Sequence, residues 1–168
     1  MKKHLPFFIL CLFSISFASA QDLIVKHDGG KLNVKVNYIT ESAIIFTIAG
    51  ETDSDMIGKA RVEKIIYKSG RIEPITEKIE VHGKKDWEKI VITRNPLYVI
   101  GLTKKGEIHV KSGKEFNGIV SYGNGDFENM KKQAASMGAH VIVLEAYDAR
   151  QQSGSTGGDH KVLAYGYE

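Results

Sequence analysis

The chain has one cysteine in 168 residues, Cys11, and it lies inside an apolar N-terminal run. Once that run is removed no thiol remains, so disulfides and thiolate metal sites are excluded by arithmetic. Charge of one sign is also missing. The formal net charge is +3, and Lys2 and Lys3 account for two of those charges. Without them 21 basic residues face 20 acidic ones, a net charge of +1. Nucleic-acid binding asks for a clustered basic face, which a near-neutral chain does not offer. Lys84-Lys85 and Lys104-Lys105 are pairs at expected turns. Proline occurs only three times, as Pro6, Pro74 and Pro96, and the last two read as breaks. Apolar runs beyond the N-terminus are short. The catalytic signatures are absent too: no HExxH, no paired Cys/His motif, no Gly-x-Ser-x-Gly, and no Walker or GxGxxG pattern after a strand.

What is present begins with the first twenty residues. Met1 to His4 is basic, Leu5 to Phe17 is apolar, and Ala18-Ser19-Ala20 is a small-x-small site. These are the parts of a secretory signal peptide cut after Ala20. The apolar stretch is too short for a stable bilayer span. Cys11 is followed by more apolar sequence, not by the cleavage point that a lipidated cysteine needs. The expectation is a periplasmic or secreted protein with no stable membrane anchor after cleavage. The new N-terminus, Gln21, could cyclise.

Residues 21–73 carry short runs between tight polar turns. His27-Asp28-Gly29-Gly30 is a strong turn signal. Leu32, Val34, Val36 and Tyr38 alternate with polar residues, as a half-buried strand does. Ala43 to Ile48 follows, with Ile44, Phe46 and Ile48 on one face. Glu51 to Asp55 reads as an acidic loop, and Val62 to Tyr67 as another strand. This spacing predicts a small SH3-like β-barrel unit. The three alternate carboxylates Glu51, Asp53 and Asp55 suit hard cations, but the glycine and the distal glutamate of a calcium loop are missing.

Pro74 to Glu77 is the expected boundary, and residues 75–168 form the second unit. Strands are expected at Ile79 to Val81, Lys89 to Thr93, Tyr98 to Leu102, Glu107 to Lys111 and Phe116 to Tyr122. The last is interrupted by Asn117-Gly118, which is either a hairpin turn or a bulge. Phe127, Met130, Ala134 and Met137 then recur at helical spacing. Asp126 is the expected N-cap and Gly138 the left-handed stop. Val141 to Leu144 reads as a strand buried on both faces. Residues 149–159 are polar and glycine-rich and read as a mobile loop. Val162 to Tyr167 closes the sheet. The fold class is α+β, mostly β: a small barrel-like unit followed by an antiparallel or mixed sheet with one packed helix.

The pattern Ala134…Gly138-Ala139-x-Val141-Ile142-Val143, a variable loop, then Ala164-Tyr165-Gly166 resembles the C-terminal half of the YbjQ-like family. That family comprises small α+β proteins often labelled heavy-metal-binding. The same stretch is similar to the core of RcsF-type envelope domains. The resemblance covers roughly residues 120–167 and implies a helix-plus-sheet fold in an envelope protein. Two departures stand out: His140 replaces the usual short Asn or Asp, and the RcsF-type cysteines are absent.

No residue set nominates itself for catalysis, and no cofactor is expected. A possible ligand surface is offered by Trp87, Tyr165 and His140, although each also reads as a packing residue or a polar sheet end. If the last two strands pair antiparallel, His140 and His160 lie at opposite ends, which disfavours a shared metal. The leading expectation is a non-catalytic exported module that binds an envelope protein or a cell-wall component, with homo-oligomerisation open. A metal-binding protein and a hydrolase whose residues meet only in three dimensions are the alternatives.

Overall fold

In a computed structural model, residues 21–111, 113–116, 119–144 and 160–168 are described. The expected signal segment 1–20 and the polar loop 149–159 lie outside them. Six strands form the first sheet: β1 (Asp22–Lys26), β2 (Lys31–Ile39), β3 (Ala43–Ile48), β4 (Ser54–Gly58), β5 (Val62–Ile66) and β6 (Ile72–Pro74). Their order is β4-β3-β2-β1-β5-β6, and every pairing is antiparallel. No ladder joins β4 to β6, so hydrogen bonds do not close the expected SH3-like barrel. Inside lies a core of Ile24, Val34, Ile44, Phe46, Ile57, Val62 and Ile65.

Two details depart from the sequence reading. The expected row Leu32-Val34-Val36-Tyr38 breaks at its end. The β2–β3 register shifts between Val36 and Tyr38, so Ile39 packs on the core and Tyr38 is left 60% exposed. An extra residue in one strand moves the side chains beyond it to the other face. In addition, β4 begins inside the supposed acidic loop. Ser54 and Asp55 pair with Thr47 and Phe46, and this cross-strand pairing overrides their low strand propensity.

The second sheet contains β7 (Val91–Thr93), β8 (Thr103–Val110), β11 (Val141–Leu144) and β12 (His160–Gly166) in the order β7-β11-β12-β8. β7 runs parallel to β11 and the other pairs are antiparallel, so the sheet is mixed. Between β8 and the helix, β9 (Gly113–Phe116) and β10 (Ile119–Tyr122) pair as an antiparallel hairpin, with Phe116 opposite Ile119. Asn117-Gly118 lie outside the described residues.

The helix α1 (Asn124–Ser136) packs on one face of this sheet, with Met130, Ala134 and Ala135 fully buried against Ile108, Ile142 and Val162. The N-cap is Gly123 rather than Asp126. The Asp126 carboxylate sits at the third helical position and accepts the Gly123 N–H at 2.9 Å. It thus satisfies a donor of the first turn from inside the helix. Gly138 is left-handed (φ 70), which ends the helix without a Cβ penalty. Met137 lies past the helix end and is 38% exposed. Its Sδ sits over Gly106 of β8, 2.8 Å from where a Cβ would be.

Two expected strands do not form. Residues 79–81 are irregular. Pro96–Val99 is a 3₁₀ turn: the Asn95 side chain accepts the Leu97 N–H at 3.0 Å, and Pro96 sits at the first helical position. A cap and a fixed proline φ outweigh the strand-like composition of Tyr98 to Leu102. Lys84–Lys89 is a further 3₁₀ segment, which shortens the expected strand at Lys89 to β7.

The other face of the second sheet meets the first. Val141 and Val143 of β11 pack on Val99 and on Ala60, which belongs to the 3₁₀ turn Lys59–Arg61. Gly58 donates its N–H to the Ile100 carbonyl at 2.9 Å. A Cβ at Gly58 would lie 2.7 Å from the Ile100 nitrogen and closer still to the Tyr98 carbonyl oxygen. Asn95 Nδ2 donates to the Ser42 hydroxyl at 2.8 Å, and the Arg61 guanidinium donates to the Gly101 carbonyl. The seam between the sheets is therefore close-packed and hydrogen-bonded, and among the described residues no helix is long and apolar enough to cross a membrane.

Candidate functional site

The seam opens at one point into a cleft of about 350 Å³, lined by Ala60, Thr76, Glu77, Ile79, Tyr98, His140, Val141 and Tyr167. Each piece has a local cause. The residue after β12, Tyr167, points to the same side as Tyr165 because alternate residues of a strand share a face. His140 sits where the chain leaves Gly138 and enters β11. Its N–H donates to the Tyr165 carbonyl at 2.9 Å, and its own carbonyl accepts the Val91 N–H at 3.0 Å. The two backbone bonds fix its ring beside Tyr167.

His140 is 2% exposed, and its ring stacks on Tyr167 with centroids 3.9 Å apart. His27, from the turn between β1 and β2, approaches the same phenol at 5.4 Å in a tilted arrangement. One tyrosine of the second sheet thus stands between an imidazole of each sheet. The turn that carries His27 is pinned: its N–H donates to the Arg61 carbonyl at 3.0 Å, and Asp28 pairs with Arg61 at 3.1 Å. His27 Nε2 lies 2.8 Å from Thr76 Oγ1, which also lies 2.8 Å from the Val62 carbonyl. Thr76 has a single proton to give. With the carbonyl taking it, the hydroxyl accepts from His27 Nε2–H, which sets that tautomer.

Burial drives the electrostatics. Desolvation, reinforced by the charges of His27 and Lys105, lowers the His140 pKa to about 4. His140 Nε2 is buried with no hydrogen-bond partner. An unpaired buried nitrogen is costly and calls for a physical explanation. Desolvation also lowers the His27 pKa, opposed by Glu63 and Asp28. The phenols move the other way: desolvation raises both Tyr98 and Tyr167. At neutral pH the lining imidazole of His140, the His27 imidazole behind Tyr167, and both phenols are therefore neutral. Tyr167 Oη accepts a long bond, 3.5 Å, from the Ile79 N–H.

Of the residues singled out from sequence, His140 lines this cleft. Tyr165 packs next to it on Val99, Val141 and Val143. Trp87 is elsewhere: it sits on the Lys84–Lys89 segment against the helix-side core, with Lys132 Nζ 5.5 Å from its ring. The three do not make one surface. Sequence patterns do not group His27, Thr76, Tyr98 and Tyr167. They come from four distant segments, and only the Tyr165-x-Tyr167 alternation hints at a shared face. β11 and β12 are antiparallel, which puts His160 opposite Val110, at the far end from His140. Among the described residues, no three His, Cys, Asp or Glu side chains stand close enough to hold a metal ion.

Among the described residues three hollows are larger: two, of about 420 and 510 Å³, border the exposed turn Lys68 to Gly70, and one of about 450 Å³ is lined by Arg94, Phe127 and Lys131. They have charged, solvent-facing walls and no buried polar group, so the seam cleft is the stronger site. No protein-family model, curated protein or solved structure matches the chain.

Proposed function

We propose that this protein is an exported, non-catalytic module of the cell envelope that binds another envelope protein or a cell-wall component, with the cleft between the two sheets as its binding site. The observation that carries the reading is the cleft itself. A concave site at a junction of two sheets, walled by aromatic and apolar side chains with a few convergent polar groups, is the usual form of a ligand site. The imidazole of His140 and the phenols of Tyr98 and Tyr167 are neutral at neutral pH, which suits recognition through hydrogen bonds rather than acid–base chemistry. Export is supported by the basic, apolar and small-residue order of residues 1–20. The resemblance of residues 120–167 to YbjQ-like and RcsF-type domains supports an envelope setting.

Capture from a solubilised envelope fraction and a cell-wall digest, with the parent protein and a Tyr98→Trp variant that fills the cleft, tests the reading. Partners retained by the parent and lost by the variant are expected. A parent that retains nothing above background, or a variant that retains the same partners, overturns it. Intact-mass measurement of the exported protein checks the cut after Ala20.

A further inference from the structure

Within that reading, we infer that the cleft takes an uncharged ligand through an amide or carbonyl oxygen, received by the hydroxyls of Tyr98 and Tyr167. The inference rests on the cleft being a binding site and adds the chemical class of the molecule that enters.

The lining determines the class by what each polar group still has to offer. Thr76 has no proton left to offer a ligand, since its hydroxyl donates to the Val62 and Lys59 carbonyls and accepts from His27. His140 is tied down by its stack on Tyr167 and forms part of the floor. The Tyr98 hydroxyl, among the described residues, has no hydrogen-bond partner. Tyr167 Oη accepts from Ile79 and keeps its proton to donate. The two phenols are near enough that ionising Tyr98 would oppose ionising Tyr167. Two neutral donors therefore face one cavity and ask for an acceptor.

The charge of the ligand is set by the rest of the wall. Glu77 lines the cavity, and neither lysine nor arginine does. Lys105 and Lys78 act on the imidazoles from outside the wall. An anion would be desolvated beside the Glu77 carboxylate with no lysine or arginine in the wall to pair with it, which is costly. A ligand that is only a donor, such as an ammonium group, would leave both phenol protons unused. Ala60, Ile79 and Val141 supply an apolar surface against which a methyl group can rest. A neutral acceptor beside a small apolar group is the chemistry of an acetamido substituent or of a blocked alanine. The cavity of about 350 Å³ is of the size that holds one such unit.

The test is titration of the purified protein, monitored by NMR of the tyrosine and histidine rings, with three probes: N-acetylglucosamine, N-acetylalanine amide and glucosamine. The expected result is saturable perturbation of the Tyr98, Tyr167 and His140 resonances by one or both acetylated probes and none by glucosamine. Which acetylated probe binds tells an amino-sugar source from a peptide source. Tyr98→Phe and Tyr167→Phe, which keep the rings and remove one donor each, should weaken that binding by roughly two- to tenfold each. Equal response to glucosamine, no response to either acetylated probe up to tens of millimolar, or unchanged affinity in both variants overturns the inference. If the double Tyr→Phe variant still captures the parent's partners, the module reading survives and the amide inference alone falls.

Discussion

Replacing His140 with phenylalanine probes the seam most directly. The substitution keeps a planar ring against Tyr167 and removes both the unpartnered Nε2 and the titration. In the folded protein His140 has a pKa of about 4, against an ordinary value of 6.5. A histidine whose folded pKa is depressed binds fewer protons folded than unfolded, so stability rises with pH across that window. It is complete above about pH 6.5 and declines as pH falls toward 4. Integrated down to pH 4.5, this single group costs the parent about 2.5 kcal/mol. His27, also lowered, adds to the slope in the same direction. The depressed carboxylates Asp28, Glu63, Glu80, Asp86 and Glu107 begin to lose their contribution near pH 5, but they do so in parent and variant alike, so the difference between the two proteins isolates His140. Urea denaturation between pH 6.5 and 4.5 should show the parent losing about 2.5 kcal/mol more than His140→Phe, which loses only the part due to His27 and the carboxylates. At pH 7 the variant should lie within about 1 kcal/mol of the parent, as relief of an orphaned nitrogen offsets the tighter fit of the larger ring. A parent whose stability is flat between pH 7 and 4.5, or a variant that falls as steeply, would refute the reasoning.

Packing sets further expected outcomes. Gly58→Ala should cost about 3 kcal/mol by chemical denaturation, because its Cβ meets the rigid backbone of Tyr98 to Ile100. Gly70→Ala, with φ 84 but open space around it, should cost only about 1 kcal/mol. Met130→Ala should cost roughly 2–5 kcal/mol, since Met130 is fully buried between α1 and the sheet. Trp87→Phe should leave binding of the acetylated probes unchanged in the same NMR titration, because Trp87 packs on the helix side of the second sheet.

The parts of the fold legible in the sequence are those where one local rule dominates. The α1 face, the Gly138 stop and the buried run Val141 to Leu144 each come from a period or a required φ. Where rules compete, legibility is lost. Tyr98 to Leu102 has strand-like composition, but Asn95 and Pro96 start a turn there. Ser54 and Asp55 look like loop residues, yet β3 recruits them as an edge. Tyr38 keeps the right period, and a bulge that no local signal marks takes it off the core. The cleft is legible only as His140, because its other walls are set by how two sheets meet, which no spacing along the chain encodes.

The sequence positions of the cleft residues have a consequence for how the protein is made. His27, Thr76 and Tyr98 are synthesised long before Tyr167, which lies between two of the aromatic partners. Until Tyr167 emerges, the imidazole of the first sheet lacks the ring it leans on. The cleft is therefore completed only after the strands of both sheets have been made, and a chain that stops before Tyr167 would keep those strands while losing the ring that His27 and His140 share.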